Sequence, residues 1–233
     1  MTDIKGSVAL VTGGSRGIGK ELVEQLYARG ARKVYATARD PRTVTHPDAV
    51  GLALEAADPR AAAALAAAAP DVTILINNAG GSARADYLTS TEEEARQDFE
   101  TNFFGPLWVT RALLPVIEAN GGGHILNVHS ALSWLADGRT YSASKAAFWS
   151  QTNSLRLALQ PRGITVTGLH VGYVDTDLTS TVEAEKVSPV TVASKALDGI
   201  EAGDYEVLVD GVSEYVKSAL SGPIEQMYPQ LAR

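Results

Sequence analysis

The sequence predicts an α/β fold, a single doubly wound domain in which a seven-stranded parallel sheet is flanked by helices. Three observations lead there. Short apolar runs rich in β-branched residues alternate with helical patterns along the chain, as parallel strands joined by right-handed helical crossovers require. A glycine-rich turn, Gly13-Gly14-Ser15-Arg16-Gly17-Ile18-Gly19, lies between the first strand and the first helix, where such sheets hold their ligands. The 233 residues contain no internal repeat and no long linker, which suits one α/β domain over residues 1–233.

The first strand is the apolar run Ser7 to Thr12. Beyond the glycine turn, Leu22, Val23, Leu26 and Tyr27 recur at helical spacing, and Gly30 stops the helix. Val34 to Ala38 is the second strand, leading to Arg39-Asp40-Pro41, and Val50 to Leu54 is the third. Pro59 opens an alanine-rich segment that Pro70 closes, and alanine is the strongest helix former, so low complexity there marks a helix. Val72 to Ile76 is the fourth strand. A long helix covers about 92–119, with Pro106 and Pro115 expected to disturb it. His124 to Val128 is the fifth strand. The next helix carries Tyr141, reaches about Leu159 and is closed by Pro161-Arg162-Gly163. Strands at Ile164 to Val171 and Glu206 to Val209, with a helix near 190–200 between them, complete the set.

Composition narrows the function classes. The chain has no cysteine, which excludes a disulfide framework, a thiolate metal site and a cysteine nucleophile. Its N-terminus runs directly into the first strand without a basic and apolar leader, and no apolar run approaches a membrane span, so a soluble, cytoplasmic protein is expected. The formal charge of −7 is concentrated near the C-terminus, where residues 172–233 hold eleven acidic and four basic side chains against sixteen of each before them. That distribution argues against nucleic acid and anionic membranes as partners, and assigns any anionic ligand to the first two thirds of the chain. His46, His124 and His170 lack acidic neighbours at ligand spacing, so no catalytic metal is expected.

Tyr141 and Lys145 stand four residues apart on what reads as the first turn of a helix, and so share one face. A tyrosine titrates near pH ~10, so acid/base work near neutrality requires a shift of roughly three units, and a lysine one turn away acts in that direction. Ser130 follows the fifth strand directly, at the ligand-facing edge. Ser133 is a competing hydroxyl farther along the loop. His129, between a strand valine and Ser130, reads as a packed strand-end residue rather than a base.

Thr12-Gly13-Gly14-Ser15-Arg16-Gly17-Ile18-Gly19, Asn77-Asn78-Ala79-Gly80, Asn102, Ser130, Tyr141 and Lys145 occur in that order, and the series resembles the motifs of the classical short-chain dehydrogenase/reductase family over about 5–210. The resemblance implies a Rossmann-type fold, a nicotinamide cofactor and hydride transfer at a carbonyl or secondary alcohol. By matching position, Tyr141 would be the acid/base, Lys145 would lower its pKa and bind the nicotinamide ribose, Ser130 would hold the substrate oxygen, and Asn102 would support a water and proton path. Cofactor contacts would come from Gly13, Ser15, Arg16, Gly17, Ile18 and Gly19, from Asn78, Ala79 and Gly80, and from Gly172, Val174 and Thr176, the last meeting the nicotinamide carboxamide. Glu55 and Ala56 would reach the adenine edge. The chain departs from the family pattern in reading Val171-Gly172 for Pro-Gly and Glu55 for aspartate. The chemistry is consistent with these roles, because an oxygen that gains negative charge as hydride arrives needs a proton donor and a second hydrogen-bond donor.

Charge at the adenosine ribose decides the cofactor. A carboxylate at the end of strand two would bind the ribose 2′-hydroxyl of NAD, whereas arginines would neutralise the 2′-phosphate of NADP. Neutral Ala38 stands there, followed by Arg39 and faced by Arg16, so NADP(H) is expected in preference to NAD(H); Asp40 would reverse this if the strand ended one residue later. Leu132, Trp134, Leu135, Tyr173 and residues 178–190 form a candidate apolar wall for a small lipophilic carbonyl or alcohol substrate. The lid around 176–190 is short, which fits either an open pocket or one folded over a small substrate. The family implies a homodimer or homotetramer through the helices near 92–119 and 141–159. A regulatory or scaffold protein that only binds cofactor is the alternative, disfavoured by the complete set Asn102, Ser130, Tyr141 and Lys145.

Overall fold

The computed structural model describes residues 2–232. Seven parallel strands, β1 Val8–Val11, β2 Lys33–Ala38, β3 Val50–Ala53, β4 Ile74–Asn77, β5 Gly123–Val128, β6 Ile164–His170 and β7 Glu206–Leu208, stand in the order β3-β2-β1-β4-β5-β6-β7. The chain winds outward in both directions from the β1–β4 pair, so the crevice beyond their carboxyl ends is where such a sheet binds ligands.

Alternation along the strands divides the core. Ala9 and Val11 of β1 face helices α1 (Gly17–Ala28) and α6 (Pro189–Ala202), where Leu22, Leu26, Val192 and Leu197 are buried. Val8 and Leu10 face the other way, onto Leu65 of α2 (Pro59–Ala68) and Leu113 and Ile117 of α4 (Gly105–Ala119). Asp58 caps α2 by accepting from the Arg60 amide, with Pro59 at the first helical position, as its sequence suggests. No helix among the described residues is long and apolar enough to cross a membrane.

The long stretch from residue 92 is three joined pieces: α3 (Glu92–Phe99), a π-helical segment (Glu100–Phe104) and α4. A capping box of Thr91 and Glu94 starts it. The disturbance precedes Pro106, because a proline has no N–H to return to the carbonyl four residues earlier, here that of Asn102. Pro115 sits inside α4 without ending it. Helix α5 (Thr140–Leu159) begins one residue before Tyr141. Two further helices, α7 (Gly211–Ala219) and α8 (Ile224–Met227), follow β7, beyond the elements expected from the sequence.

Candidate active site

Thr12, the residue after β1, ties the glycine turn to β4. Its hydroxyl accepts from the Asn78 and Ala79 amides (3.0 Å each), and Asn78 Nδ2 donates back to the Thr12 carbonyl (2.9 Å). Gly17 has φ +52°, and a Cβ on Gly19 would lie 2.0 Å from the Gly13 carbonyl oxygen, so the loop closes only because these positions carry no side chain. Helix α1 then starts at Gly17 with no side-chain cap on its first amides, a fitting seat for a phosphate.

These residues open a cleft of about 710 Å³, lined by Gly13, Arg16 to Gly19, Asn78 to Arg84, Asp98, Thr101 and Asp175 to Leu178. Of the expected cofactor contacts, Gly13, Arg16, Gly17, Ile18, Gly19, Asn78, Ala79, Gly80 and Thr176 are on its walls. Ala56 instead borders a small recess beside it, with Ala79 and Thr101. Glu55 is exposed, Val174 is buried in the core, and Gly172 donates its amide to Asp210 (2.7 Å). Ser15 is partly buried in the turn, and Arg39 is exposed past the end of β2. Asp40 caps the turn Pro41–Thr43 and takes three hydrogen bonds from the Arg42 guanidinium (2.9, 3.2 and 2.8 Å), which hold its carboxyl below the usual range.

Ser130, Tyr141 and Lys145 gather behind the glycine wall. A Cβ on Gly80 would be 3.4 Å from Lys145 Nζ. The Ser130 hydroxyl acts on the Tyr141 phenol, favouring its ionised form. Ser130 Oγ accepts from the Leu132 amide (3.1 Å), which leaves its proton free to donate elsewhere, whereas buried Ser133 turns its Oγ back toward the Ser130 amide (3.4 Å). Lys145 is 4% exposed, with Nζ donating to the Val128 carbonyl (3.0 Å) and lying 5.8 Å from the Tyr141 ring centroid.

Electrostatics here differ from the sequence expectation. Burial pushes the Tyr141 phenol up to about 12, opposed by Ser130 and reinforced by the charge of Asp98. Burial also pushes Lys145 down to about 8, so desolvation of the pair outweighs the simple attraction of ammonium for phenolate. A folded-state pKa near 8 against 10.5 unfolded destabilises the protein fully below pH 8, and that cost fades by pH 10.5. Lys145→Met should therefore lose its stability advantage over the wild type by roughly 3 kcal/mol across that window, read by urea unfolding. A constant difference would mean that Lys145 titrates normally.

Asn102, in the π-helical segment, is buried and fully bonded: Nδ2 donates to the Gly81 carbonyl (2.9 Å) and to Ser144 Oγ (3.0 Å), and Oδ1 accepts from the Gly81 amide (3.1 Å). One turn earlier, Asp98 makes a second crossing. Its Oδ1 accepts from the Ala83 amide (2.7 Å) and its Oδ2 from Thr140 Oγ1 (2.6 Å). The sequence reading missed Asp98, Thr140 and Ser144, although both pairs stand at i, i+4 spacing on the helices carrying Asn102 and Tyr141.

Asp175 to Leu178 border the cleft, and the segment they begin is tied down at two points. Arg16 pairs with Asp177 (2.9 Å), and Arg84 donates to Thr181 Oγ1 (3.1 Å). Tyr173 and Leu178 remain exposed enough to meet a ligand. Trp134 does not: it is buried, stacked on His170 with centroids 3.8 Å apart and edge-on to Trp149, because β6 and α5 close over it. His129 is buried too, bonded through Nε2 to Thr152 Oγ1 (3.0 Å), and burial pushes its pKa well down.

The family model for short chain dehydrogenase matches residues 7–187. The 3-oxoacyl-[acyl-carrier-protein] reductase FabG of Vibrio cholerae is 31% identical over 195 residues, covering 79% of this chain and 80% of its own length. The 2,3-dihydroxy-2,3-dihydro-p-cumate dehydrogenase of Pseudomonas putida is 31% identical over 216 residues, covering 86% and 82%. Among solved structures, a short chain dehydrogenase from Burkholderia cenocepacia in complex with NADP superimposes with a TM-score of 0.92 at 33% identity, covering 99% of both chains. One from Burkholderia phymatum in complex with NAD shares the fold, with a TM-score of 0.85 at 22% identity over 99% and 97% of the two chains.

Proposed function

The chain belongs to the short chain dehydrogenase family, and on that premise we propose that it is an NADP(H)-dependent oxidoreductase acting on a small lipophilic carbonyl compound or secondary alcohol. The observation that carries this is the grouping of Ser130, Tyr141 and Lys145, with Lys145 directly behind Gly80, a residue on the wall of the cleft that ends on the uncapped first turn of α1. The bound nicotinamide would supply or take the hydride. The chain's own residues do the rest: Tyr141 donates or takes the proton at the substrate oxygen, Ser130 gives that oxygen a second hydrogen bond, and Lys145 holds the ribose. Asn102 keeps Gly81 and α5 in register and would support a water and proton path.

NADP(H) is favoured over NAD(H) because Arg39 makes no ion pair among the described residues while Asp40 is committed to Arg42. The complex of the Burkholderia cenocepacia relative with NADP supports the same choice. Replacing Arg16 and Arg39 together should weaken NADPH by tenfold or more, at roughly 1.4 kcal/mol per tenfold, and leave NADH within a few-fold, measured by fluorescence titration. Equal losses would remove the assignment. A panel of ketones and alcohols, followed by absorbance of the reduced nicotinamide, tests the activity itself.

We assign the segment around 176–190 as the substrate lid, Tyr173 and Leu178 as part of the apolar wall, and a cytoplasmic homodimer or homotetramer as the working form. The long helices α4 and α5 would carry that assembly, and Leu157, 81% exposed on α5, is a fitting apolar contact.

A further inference from the structure

Resting on the hydride-transfer reading above, we propose that Asp98 is a positioning residue for Tyr141. Through Thr140 it fixes the first turn of α5 against the loop after β4, and it sets a buried carboxylate beside the turn that carries the phenol.

The geometry is a pair of parallel rungs. Ala83, Asp98 and Thr140 form one, and Gly81, Asn102 and Ser144 form the other, one helical turn away on both helices. Tyr141 lies between them in sequence, next to Thr140, and Ser144 Oγ donates back to the Tyr141 carbonyl (2.8 Å). The two rungs therefore set the height and rotation of the turn that carries the phenol. Asp98 is 1% exposed and makes no ion pair among the described residues, so its carboxylate is held by two short hydrogen bonds alone.

An uncharged amide could make the same rung. Its oxygen would accept from the Ala83 amide and its nitrogen would donate to Thr140 Oγ1, whose proton would turn to the Ala85 carbonyl already 3.1 Å away. A buried unpaired charge is the costlier choice, so the charge itself needs a reason. Its effect on Tyr141 supplies one: Asp98 acts to raise the phenol's pKa, beyond the larger effect of burial.

The other groups around the ring leave Asp98 as the negative neighbour that acts on it. Lys145 stands on the same helix, and Ser130, from the loop after β5, is neutral. Arg139, before α5, is directed to Asp86, and Arg84, from the loop after β4, to Thr181. On the lid, Asp177 is paired with Arg16 and Asp175 borders the cleft; behind Ser130, buried His129 is pushed toward its neutral form.

Three measurements test this. In cofactor-free protein, the phenolate absorbance of Tyr141, obtained by subtracting the Tyr141→Phe titration, should have its midpoint lowered by roughly half a unit or more in Asp98→Asn. The alkaline limb of carbonyl reduction and the acid limb of alcohol oxidation should move to lower pH with it. Asp98→Ala should reduce plateau kcat more than tenfold with KM changed less, and Asp98→Asn should recover most of that loss. If Asp98→Ala does not fold, Thr140→Val breaks the same rung from the other helix and should show the same loss. Unmoved titration and limbs in Asp98→Asn, or wild-type kcat in the rung-breaking variant, would overturn the proposal. Should the wild type turn over no carbonyl or alcohol, the hydride-transfer reading fails, while the cofactor-free titration still decides the effect of Asp98.

Discussion

Tyr141→Phe should lower carbonyl reduction by roughly a thousandfold while leaving NADPH affinity within a few-fold. The phenol oxygen is the proposed proton donor to the substrate oxygen, and the partly buried ring keeps its packing when the oxygen is removed. Burial holds the Tyr141 pKa near 12 in the free protein, so at neutral pH the group carries the proton that reduction consumes. Oxidation of an alcohol needs the phenolate instead, and its rate should climb through the alkaline range where reduction is still level. Single-turnover rates with saturating NADPH check the first effect, and paired pH profiles check the second. A variant that kept a tenth of the wild-type rate would remove Tyr141 as the acid.

Ser130→Ala should reduce kcat by about a hundredfold or more, and Ser133→Ala by no more than several-fold. The two hydroxyls are three residues apart in one short turn but are used differently. Ser130 Oγ receives the Leu132 amide and keeps its own proton for a ligand, beside the Tyr141 phenol, whereas Ser133 Oγ faces the backbone of Ser130. Removing a donor aimed at a developing oxyanion costs transition-state stabilisation with little effect on cofactor binding, so NADPH affinity is the control. Loss of the Ser130 cap on the turn Ala131–Ser133 also predicts a small drop in melting temperature. The reverse ranking would transfer the substrate contact to Ser133. Two mild effects would mean that the apolar wall and Tyr141 orient the substrate by themselves.

The sequence by itself determined the strand and helix order, the glycine turn, and the identity of Tyr141, Lys145, Ser130 and Asn102 as candidates. Those features are local: they follow from hydrophobic period, from glycine where the backbone needs it, and from motif spacing along a few turns. Even the break in the long helix was legible in Pro106, displaced by the four residues over which a missing N–H is felt. Only the tertiary structure decided that Trp134 packs on His170 instead of lining a pocket, that Asp40 is spent on Arg42, and that Arg16 pairs with Asp177. It also decided the direction in which the central pair is shifted, since burial at Tyr141 and Lys145 depends on how β5, α5 and the loop after β4 close around them. The Asp98–Thr140 rung belongs to the same class. Its partners are 42 residues apart, and hydrogen bonds between distant helices depend on how those helices are set against each other. That setting is fixed by packing over the whole sheet, so the i, i+4 spacing on each helix does not by itself announce the pairing.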